Sequence, residues 1–426
     1  MRRSLFALAF LFACQPEPDD APVAEASLEL GSLDIARDHL AGDVYHYAFT
    51  IPVGAGPNAV LRVHRVVRER APWRPRPTTG AVMMMHGDFA TFATSFAPAL
   101  ADPPSTAGGL APWLAARDID VWGLDRRWTQ APEVDADLSD FAAMGVTQEL
   151  DDVDVALGFA RAVRLATDGS RQRLTLLGFS RGGQLGYLYA ARDGARPPAL
   201  RQLAGLVALD IYAAIAPADE DLRLFACDLA AFEQDALAAG DVDVPNDFQY
   251  TLGRLALSDP DGPSPFFPGR TNRIAMIIFV GRTHFFFPVS PLYHLAAATY
   301  VDGVVSGLRS SSEDHVARWL AGAAPHQSLR ESAETDALLC GDGPPPVDLP
   351  LAHVRAPLLV IAAAGGYGAH ALYTATQVGS TDVTTRVVRQ LPPEREEEDV
   401  GHADLLFSPA APALAWQPLL TWLRTL

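Results

Sequence analysis

Residues 174–183 read Leu174-Thr175-Leu176-Leu177-Gly178-Phe179-Ser180-Arg181-Gly182-Gly183, and they give the clearest indication of the fold. Its first four residues form an apolar run, typical of strands buried on both faces of a parallel sheet. The residues from 183 to 192 have the apolar spacing of a helix. Between them, Gly178 to Gly182 fits the pattern G-x-S-x-G, which places Ser180 in a strained turn. The two glycines leave room for the strand and the helix to approach each other.

Other segments continue this alternation of apolar runs and helical periodicity. The predicted strands are Tyr45–Ile51, Val60–Val67, Ala81–Met85, Asp120–Leu124, Leu174–Leu177, Leu203–Leu209, Pro357–Ala364 and Thr385–Leu391. The predicted helices are Leu110–Arg117, Thr147–Arg164, Gly183–Arg192 and Ala413–Leu423. The alternation indicates an α/β fold with a mostly parallel eight-stranded sheet flanked by helices. Phe279-Val280-Gly281 predicts one extra strand outside that sheet.

Two histidine motifs lie near the ends of predicted strands. Met85-His86-Gly87-Asp88-Phe89 ends the third strand, and Gly401-His402-Ala403-Asp404 precedes the last helix. A serine hydroxyl becomes a good nucleophile when a base takes its proton, so His402 is the candidate base for Ser180. We expect the side chain of His86 to have a structural role in its turn. The histidines expected to be core or rim residues are His284, His294 and His326.

Together, the serine turn, the His-Gly loop and the terminal Gly-His pair resemble the α/β-hydrolase superfamily, in its lipase and esterase branches. The resemblance implies a serine hydrolase that cleaves small-molecule or lipid esters through an acyl-enzyme on Ser180, without a cofactor. It also implies an oxyanion hole formed by the backbone N–H groups of Asp88 and Arg181. The residues that would shape this site are His86, Gly87, Gly178 and Gly182.

The carboxylate that should orient the histidine is missing from its usual place in this superfamily. The turn after Pro357–Ala364 continues as Gly365-Gly366-Tyr367-Gly368, without an acid. Asp210 is the preferred substitute, because it ends a strand at the same sheet edge as Ser180. Asp382 precedes a strand and should therefore lie at the opposite edge.

Two more carboxylates, Asp399 and Asp404, flank His402. They are too close to it in sequence to reach the far nitrogen of its ring. The same set of residues would also suit an amidase or peptidase, or a cofactor-free haloperoxidase-like activity. The missing acid would suit a lipoprotein that binds ligands without cleaving them.

The long segment 211–352 divides the core into 28–210 and 353–426. It exceeds the usual length of a loop, so we predict a largely helical cap inserted between the sixth and seventh strands. Phe266-Phe267-Pro268 and Phe285-Phe286-Phe287-Pro288 lie within it. These aromatic clusters are interpreted either as cap core or as an apolar wall of the substrate pocket.

The N-terminus has the pattern of an export signal. Met1-Arg2-Arg3 is positive, and the apolar run from residue 5 to residue 13 is too short to span a bilayer. Leu11-Phe12-Ala13-Cys14 resembles a bacterial lipobox, and an ordinary cleaved signal is the alternative. We therefore expect a signal peptide at 1–13, a lipid anchor on Cys14 and a linker at 14–27. The expected location is the cell envelope, at the outer membrane of a Gram-negative bacterium.

The charge and the cysteine content of the chain indicate which binding partners and which cellular compartment are compatible with the sequence. The chain has 33 basic and 51 acidic side chains, a formal charge of −18 that disfavours nucleic-acid binding. Besides Cys14, the chain has Cys227 and Cys340, which could form a disulfide in an oxidising compartment or remain free thiols. No His/Cys cluster has the spacing of metal ligands, so no metal is expected. The sequence does not predict an oligomeric state.

Overall fold

The computed structural model describes residues 34–286, 293–342 and 345–426. The predicted signal peptide, Cys14, the linker 14–27 and Phe287-Pro288 lie outside these residues. The strands are β1 (Asp34–Ala41), β2 (Val44–Pro52), β3 (Val60–Ala71), β4 (Arg74–Pro75), β5 (Gly80–Met85), β6 (Ile119–Asp125), β7 (Leu174–Phe179), β8 (Leu203–Leu209), β9 (Asp243–Pro245), β10 (Ala298–Val301), β11 (Val304–Leu308), β12 (His326–Ser328), β13 (Leu358–Ala363) and β14 (Val383–Val388). The α-helices are α1 (Phe92–Phe96), α2 (Leu110–Ala115), α3 (Val146–Asp168), α4 (Arg181–Ala195), α5 (Glu220–Ala239), α6 (Asp247–Ser258), α7 (Asn272–Gly281), α8 (Glu313–Ala321), α9 (Leu329–Cys340), α10 (Gly368–Gln377), α11 (Asp404–Phe407) and α12 (Gln417–Leu423). None of the described helices combines the length and apolarity needed to cross a bilayer.

The main sheet has ten strands in the order β1-β2-β3-β6-β5-β7-β8-β13-β14, with β4 beside β3. The strands from β6 to β14 along this order run parallel, and β1 to β3 form an antiparallel edge. All eight predicted strands are therefore confirmed. The two additional strands are β1, whose residues are nearly all exposed, and the short β4.

The sheet has a hydrophobic core on each face because successive side chains of a strand point in opposite directions. Met83 and Met85 of β5 face one core, together with apolar residues of α3, α4 and α10. Val82 and Met84 face the other, together with residues of α1, α2, α11 and α12. The apolar run of β5 is thus explained by burial on both faces, and the sheet is sandwiched between two helical layers.

Between β8 and β13 lies the insertion, which we define as residues 211–352. It contains α5 to α9, the β10–β11 hairpin and the β9–β12 pair, and it has an apolar core of its own. The extra strand predicted at Phe279-Val280-Gly281 is wrong, because these residues end the helix α7. A short buried apolar run has the same pattern in a strand and in a buried helix.

Cys227 of α5 and Cys340 of α9 form a disulfide, which resolves the choice that the sequence left open. The bond links two long helices of the insertion that pack against each other. Within the described ranges, Cys227, Cys340 and Asp342 form the group of three possible ligands whose donor atoms lie close enough together to hold one metal ion. Because both cysteines are oxidised, their sulfurs are not available as thiolate ligands.

We predict that replacing both Cys227 and Cys340 by alanine lowers the free energy of unfolding by about 2–5 kcal/mol, because the disulfide restricts the unfolded chain. Urea unfolding followed by circular dichroism measures this change. Wild-type protein unfolded in a thiol reductant is the matched control and should resemble the double variant. Equal stability of the oxidised wild type and the variant would contradict the prediction.

Candidate active site

Ser180 occupies the sharp turn between β7 and α4, with backbone angles φ 55° and ψ −136°. A positive φ is costly for a residue with a side chain, and such strain often marks a functional position. A Cβ at Gly178 would lie 2.2 Å from the carbonyl oxygen of Gly182, so the glycine allows the turn to close. A Cβ at Gly87 would lie 2.6 Å from the Cβ of Ser180, which places the His-Gly loop directly beside the serine.

The structure brings His402 and Asp210 together, although they are far apart in sequence. His402 Nδ1 donates a hydrogen bond to Asp210 Oδ2 at 2.6 Å, and both side chains are buried. Among the described residues, the imidazole makes no other side-chain hydrogen bond, so Nε2 is available to accept a proton. The hydrogen bond between a catalytic histidine and its serine often tightens only when substrate binds. The ring of His402 stacks on Phe179, the neighbour of Ser180, at 4.4 Å between centroids.

The turn after β13 lacks an acid because it accommodates Asp210 instead. A Cβ at Gly366 would lie 2.1 Å from Asp210 Oδ2, so only glycine leaves space for the carboxylate. The second oxygen, Oδ1, accepts hydrogen bonds from the backbone N–H groups of Ala363 at 2.7 Å and Tyr367 at 3.2 Å. Gly366 after β13 is therefore the residue of this turn that makes room for a carboxylate from another strand.

The other candidate acids do not approach the ring of His402. Asp382 is exposed at the start of β14, the opposite edge of the sheet, as predicted. Asp399 accepts hydrogen bonds from backbone N–H groups at 390 and 400. Asp404 binds Ser311 and the N–H groups of residues 297 and 401. Both carboxylates therefore hold the loop around His402 in place.

Residues of the insertion and of the turn after β13 surround the histidine. The backbone N–H of His402 donates to the carbonyl oxygen of His294, a fully buried residue. The rings of Tyr293 and Tyr367 lie 5.6 Å and 5.5 Å from that of His402. Sequence patterns gave no sign of these tyrosines. By contrast, Phe267 and Phe248 pack against the insertion's own apolar core, whereas Phe266 contacts Phe248 but is exposed.

The Gly87–Asp88 peptide is held in one orientation by its carbonyl group. The oxygen of Gly87 is contacted by Arg126 Nη2 at 3.2 Å and by His86 Nδ1 at 2.9 Å. His86 Nε2 accepts the N–H of Arg126, so the ring proton lies on Nδ1 and is donated to Gly87. Burial and the Arg126 charge lower the pKa of His86 to about 4, so the ring is neutral at pH 7. Through these contacts the side chain of His86 holds the turn, which is the structural role expected of it.

In a trans peptide the N–H points away from the C=O, so the N–H of Asp88 faces away from Arg126. This N–H and that of Arg181, the first residue of α4, have no acceptor within the described part of the chain. Two unpaired N–H groups beside Ser180 are what an oxyanion hole requires. We therefore keep both residues as candidates for that role.

The side chains of the same two residues form an ion pair. Arg181 Nε lies 3.3 Å from Asp88 Oδ2, and Arg181 Nη1 lies 3.1 Å from Asp336 Oδ1 on α9. Gln327 Nε2 donates to Asp88 at 2.8 Å. Burial acts to raise the pKa of Asp88, but the charges of Arg181 and Arg126 outweigh it and hold the pKa below its ordinary value. No sequence pattern pointed to Asp336 or Gln327.

No family model and no curated protein matches this chain. Among solved structures, a candidate lipase from Sulfolobus solfataricus is similar at a TM-score of 0.63, with 15% identity over 92% of this chain and 99% of that one. A soluble variant of monoglyceride lipase from Saccharomyces cerevisiae has a TM-score of 0.43, with 11% identity over 94% and 97%. An α/β-hydrolase fold protein from Nakamurella multipartita has a TM-score of 0.40, with 15% identity over 88% and 99%. The sheet order and the first of these similarities show that the chain has the α/β-hydrolase fold.

We predict that Gly366→Ala displaces the Asp210 carboxylate, because the new methyl group would overlap Oδ2. Misplacing a catalytic group by about 1 Å can cost about 100-fold in rate, so we expect a loss of that order in ester hydrolysis. Gly108→Ala is the matched control, because a Cβ there meets nothing within 4 Å. Circular dichroism checks that both variants fold. Unchanged turnover in folded Gly366→Ala would contradict the prediction.

Proposed function

We propose that this protein is a serine hydrolase that cleaves carboxylic esters, with Ser180 as nucleophile, His402 as general base and Asp210 as the acid that orients the base. One observation carries the proposal: the 2.6 Å hydrogen bond between His402 and Asp210, next to a serine in a strained turn. The order serine, acid, histidine along the chain is that of the α/β-hydrolases. The lipase and carboxylesterase neighbours among solved structures agree with an ester substrate but establish the fold alone.

In this mechanism, Ser180 Oγ attacks the carbonyl carbon of the ester while His402 Nε2 takes its proton. The negative oxygen of the tetrahedral intermediate accepts hydrogen bonds from the N–H groups of Asp88 and Arg181. Asp210 stabilises the imidazolium that forms. The C–O bond of the ester then breaks, and His402 protonates the departing alcohol. Water attacks the acyl-enzyme by the same route and releases the acid and Ser180.

A ligand-binding protein without catalysis is the alternative that the missing acid suggested. Asp210 weakens the case for it, since its carboxylate occupies the place beside the histidine that a triad needs. Its Oδ1 is held by two backbone N–H groups, so Oδ2 is free to serve the imidazole. A binding protein has no need of such an arrangement. We therefore favour the enzyme.

We predict that a fluorophosphonate probe labels the wild-type protein covalently, because it reacts with activated serines. Mass spectrometry of the digested protein should place the label on the peptide that contains Ser180. Ser180→Ala should remain unlabelled, whereas Ser95→Ala, at a buried serine of α1, should be labelled normally. A wild-type protein that is folded but unlabelled would support the binding protein instead.

We predict that Asp210→Asn lowers kcat for p-nitrophenyl butyrate by about 10⁴-fold, because an amide favours the wrong histidine tautomer. Asp382→Asn is the matched control, because this carboxylate lies at the opposite edge of the sheet and is exposed. It should leave kcat within about twofold of the wild type. If Asp210→Asn folds and retains near-normal kcat, another residue is the triad acid.

A further inference from the structure

Two buried carboxyl groups of the insertion lie behind Arg181. Glu233 on α5 and Asp336 on α9 are 7% and 4% exposed, and they are in hydrogen-bonding contact with each other. Asp336 Oδ1 accepts from Arg181, but Asp336 Oδ2 and Glu233 Oε2 have no donor within the described part of the chain. When two carboxyl groups in contact share one proton, the protonated group donates a hydrogen bond to the ionised one.

The charges around the pair favour this shared proton. Burial and then the negative charge of Asp336 raise the pKa of Glu233 to about 8, with Arg181 acting in the opposite direction and Asp88 adding to the rise. Burial also raises the pKa of Asp336, while Arg181 opposes that rise. At neutral pH, therefore, Glu233 carries the proton, and Asp336 is the member of the pair that binds Arg181.

Two charged groups from other elements act on the pair: Arg181 begins α4, and Asp88 lies in the loop after β5. Arg126, which follows β6, lies 3.9 Å from Asp88. Glu331, on α9 itself, is bound to Arg126. One cation, Arg181, thus lies between the pair and Asp88. A second negative charge in the pair would compete with Asp88 for it.

The pair is also tied to the proposed site. The backbone N–H of Arg181 is one proposed oxyanion donor, and its side chain joins Asp336 to Asp88, the residue of the other donor. The disulfide between Cys227 and Cys340 holds α5 against α9. Because this bond keeps the two helices together, a second negative charge in the pair would act on Arg181, the cation that contacts Asp336 and Asp88.

We propose that Glu233 and Asp336 are positioning residues whose shared proton keeps Arg181 and the oxyanion hole in place, so that activity is lost when Glu233 ionises. This proposal rests on the proposed function and adds to it a loss of activity at alkaline pH. Neither residue is required to touch the substrate.

The test compares the wild type with Glu233→Gln, whose amide still donates to Asp336 but cannot ionise. The rate of fluorophosphonate labelling and kcat for p-nitrophenyl butyrate are measured from about pH 6 to about pH 10, with spontaneous hydrolysis subtracted. Wild-type rates should fall about fivefold or more above a midpoint near pH 8, and Glu233→Gln should lack this fall. Asp235→Asn, at an exposed position two residues along α5, is the matched control and should keep it.

A second variant keeps the test decisive if Glu233→Gln does not fold. Asp336→Asn removes the negative neighbour of Glu233, so the alkaline midpoint should move to lower pH. An alkaline fall that persists in Glu233→Gln, or a midpoint that is unchanged in Asp336→Asn, would overturn the proposal.

Unfolding measurements separate failure of this proposal from failure of the proposed function. The pKa of Glu233 is higher in the folded protein than its ordinary value of 4.5. Its contribution to stability is therefore full at low pH and is lost as the pH rises toward about 8. Relative to Glu233→Gln, the wild type should lose unfolding free energy across that window. If the wild type shows this loss but is never labelled, the proton-sharing pair stands and its link to catalysis is overturned.

Discussion

The backbone of Ser180 is the constraint on which the rest of the site depends. A left-handed conformation at a residue with a side chain costs of the order of 1–3 kcal/mol, so the surrounding structure has to hold it in place. The buried strand β7 fixes the chain before the serine, and α4 fixes it afterwards. The close contact between Gly178 and Gly182 then becomes possible. As a result, the hydroxyl and the first N–H of α4 lie at the carboxyl edge of the sheet.

Helix α9 of the insertion holds both sides of the proposed oxyanion hole. Its Glu331 binds Arg126 at 2.5 Å, and Arg126 in turn binds the carbonyl oxygen of Gly87. Its Asp336 binds Arg181 at 3.1 Å. All four charged side chains are buried or nearly so, and removing one partner of such a pair is strongly destabilising. The insertion is therefore part of the site's framework, and it also contributes Tyr293 beside the histidine.

Local patterns were enough to predict the strands of the core, the serine turn and the approximate place of His402. These features depend on short-range rules, namely burial on both faces of a strand and the space that glycines leave. The pairing of Asp210 with His402 was inferred from strand ends at one sheet edge, and the structure places the two in contact. Strand β1 was missed because it is mostly exposed and lacks an apolar run. The roles of Glu331 and Asp336 depend on contacts between distant segments, which a single helix pattern does not contain.

A crystal structure of the protein inactivated by diethyl p-nitrophenyl phosphate tests the proposed nucleophile and oxyanion hole together. We predict a covalent bond from phosphorus to Ser180 Oγ. We also predict that the phosphoryl oxygen lies about 3 Å from the N–H groups of Asp88 and Arg181. Phosphorus on another residue, or a phosphoryl oxygen directed away from both N–H groups, would contradict these predictions.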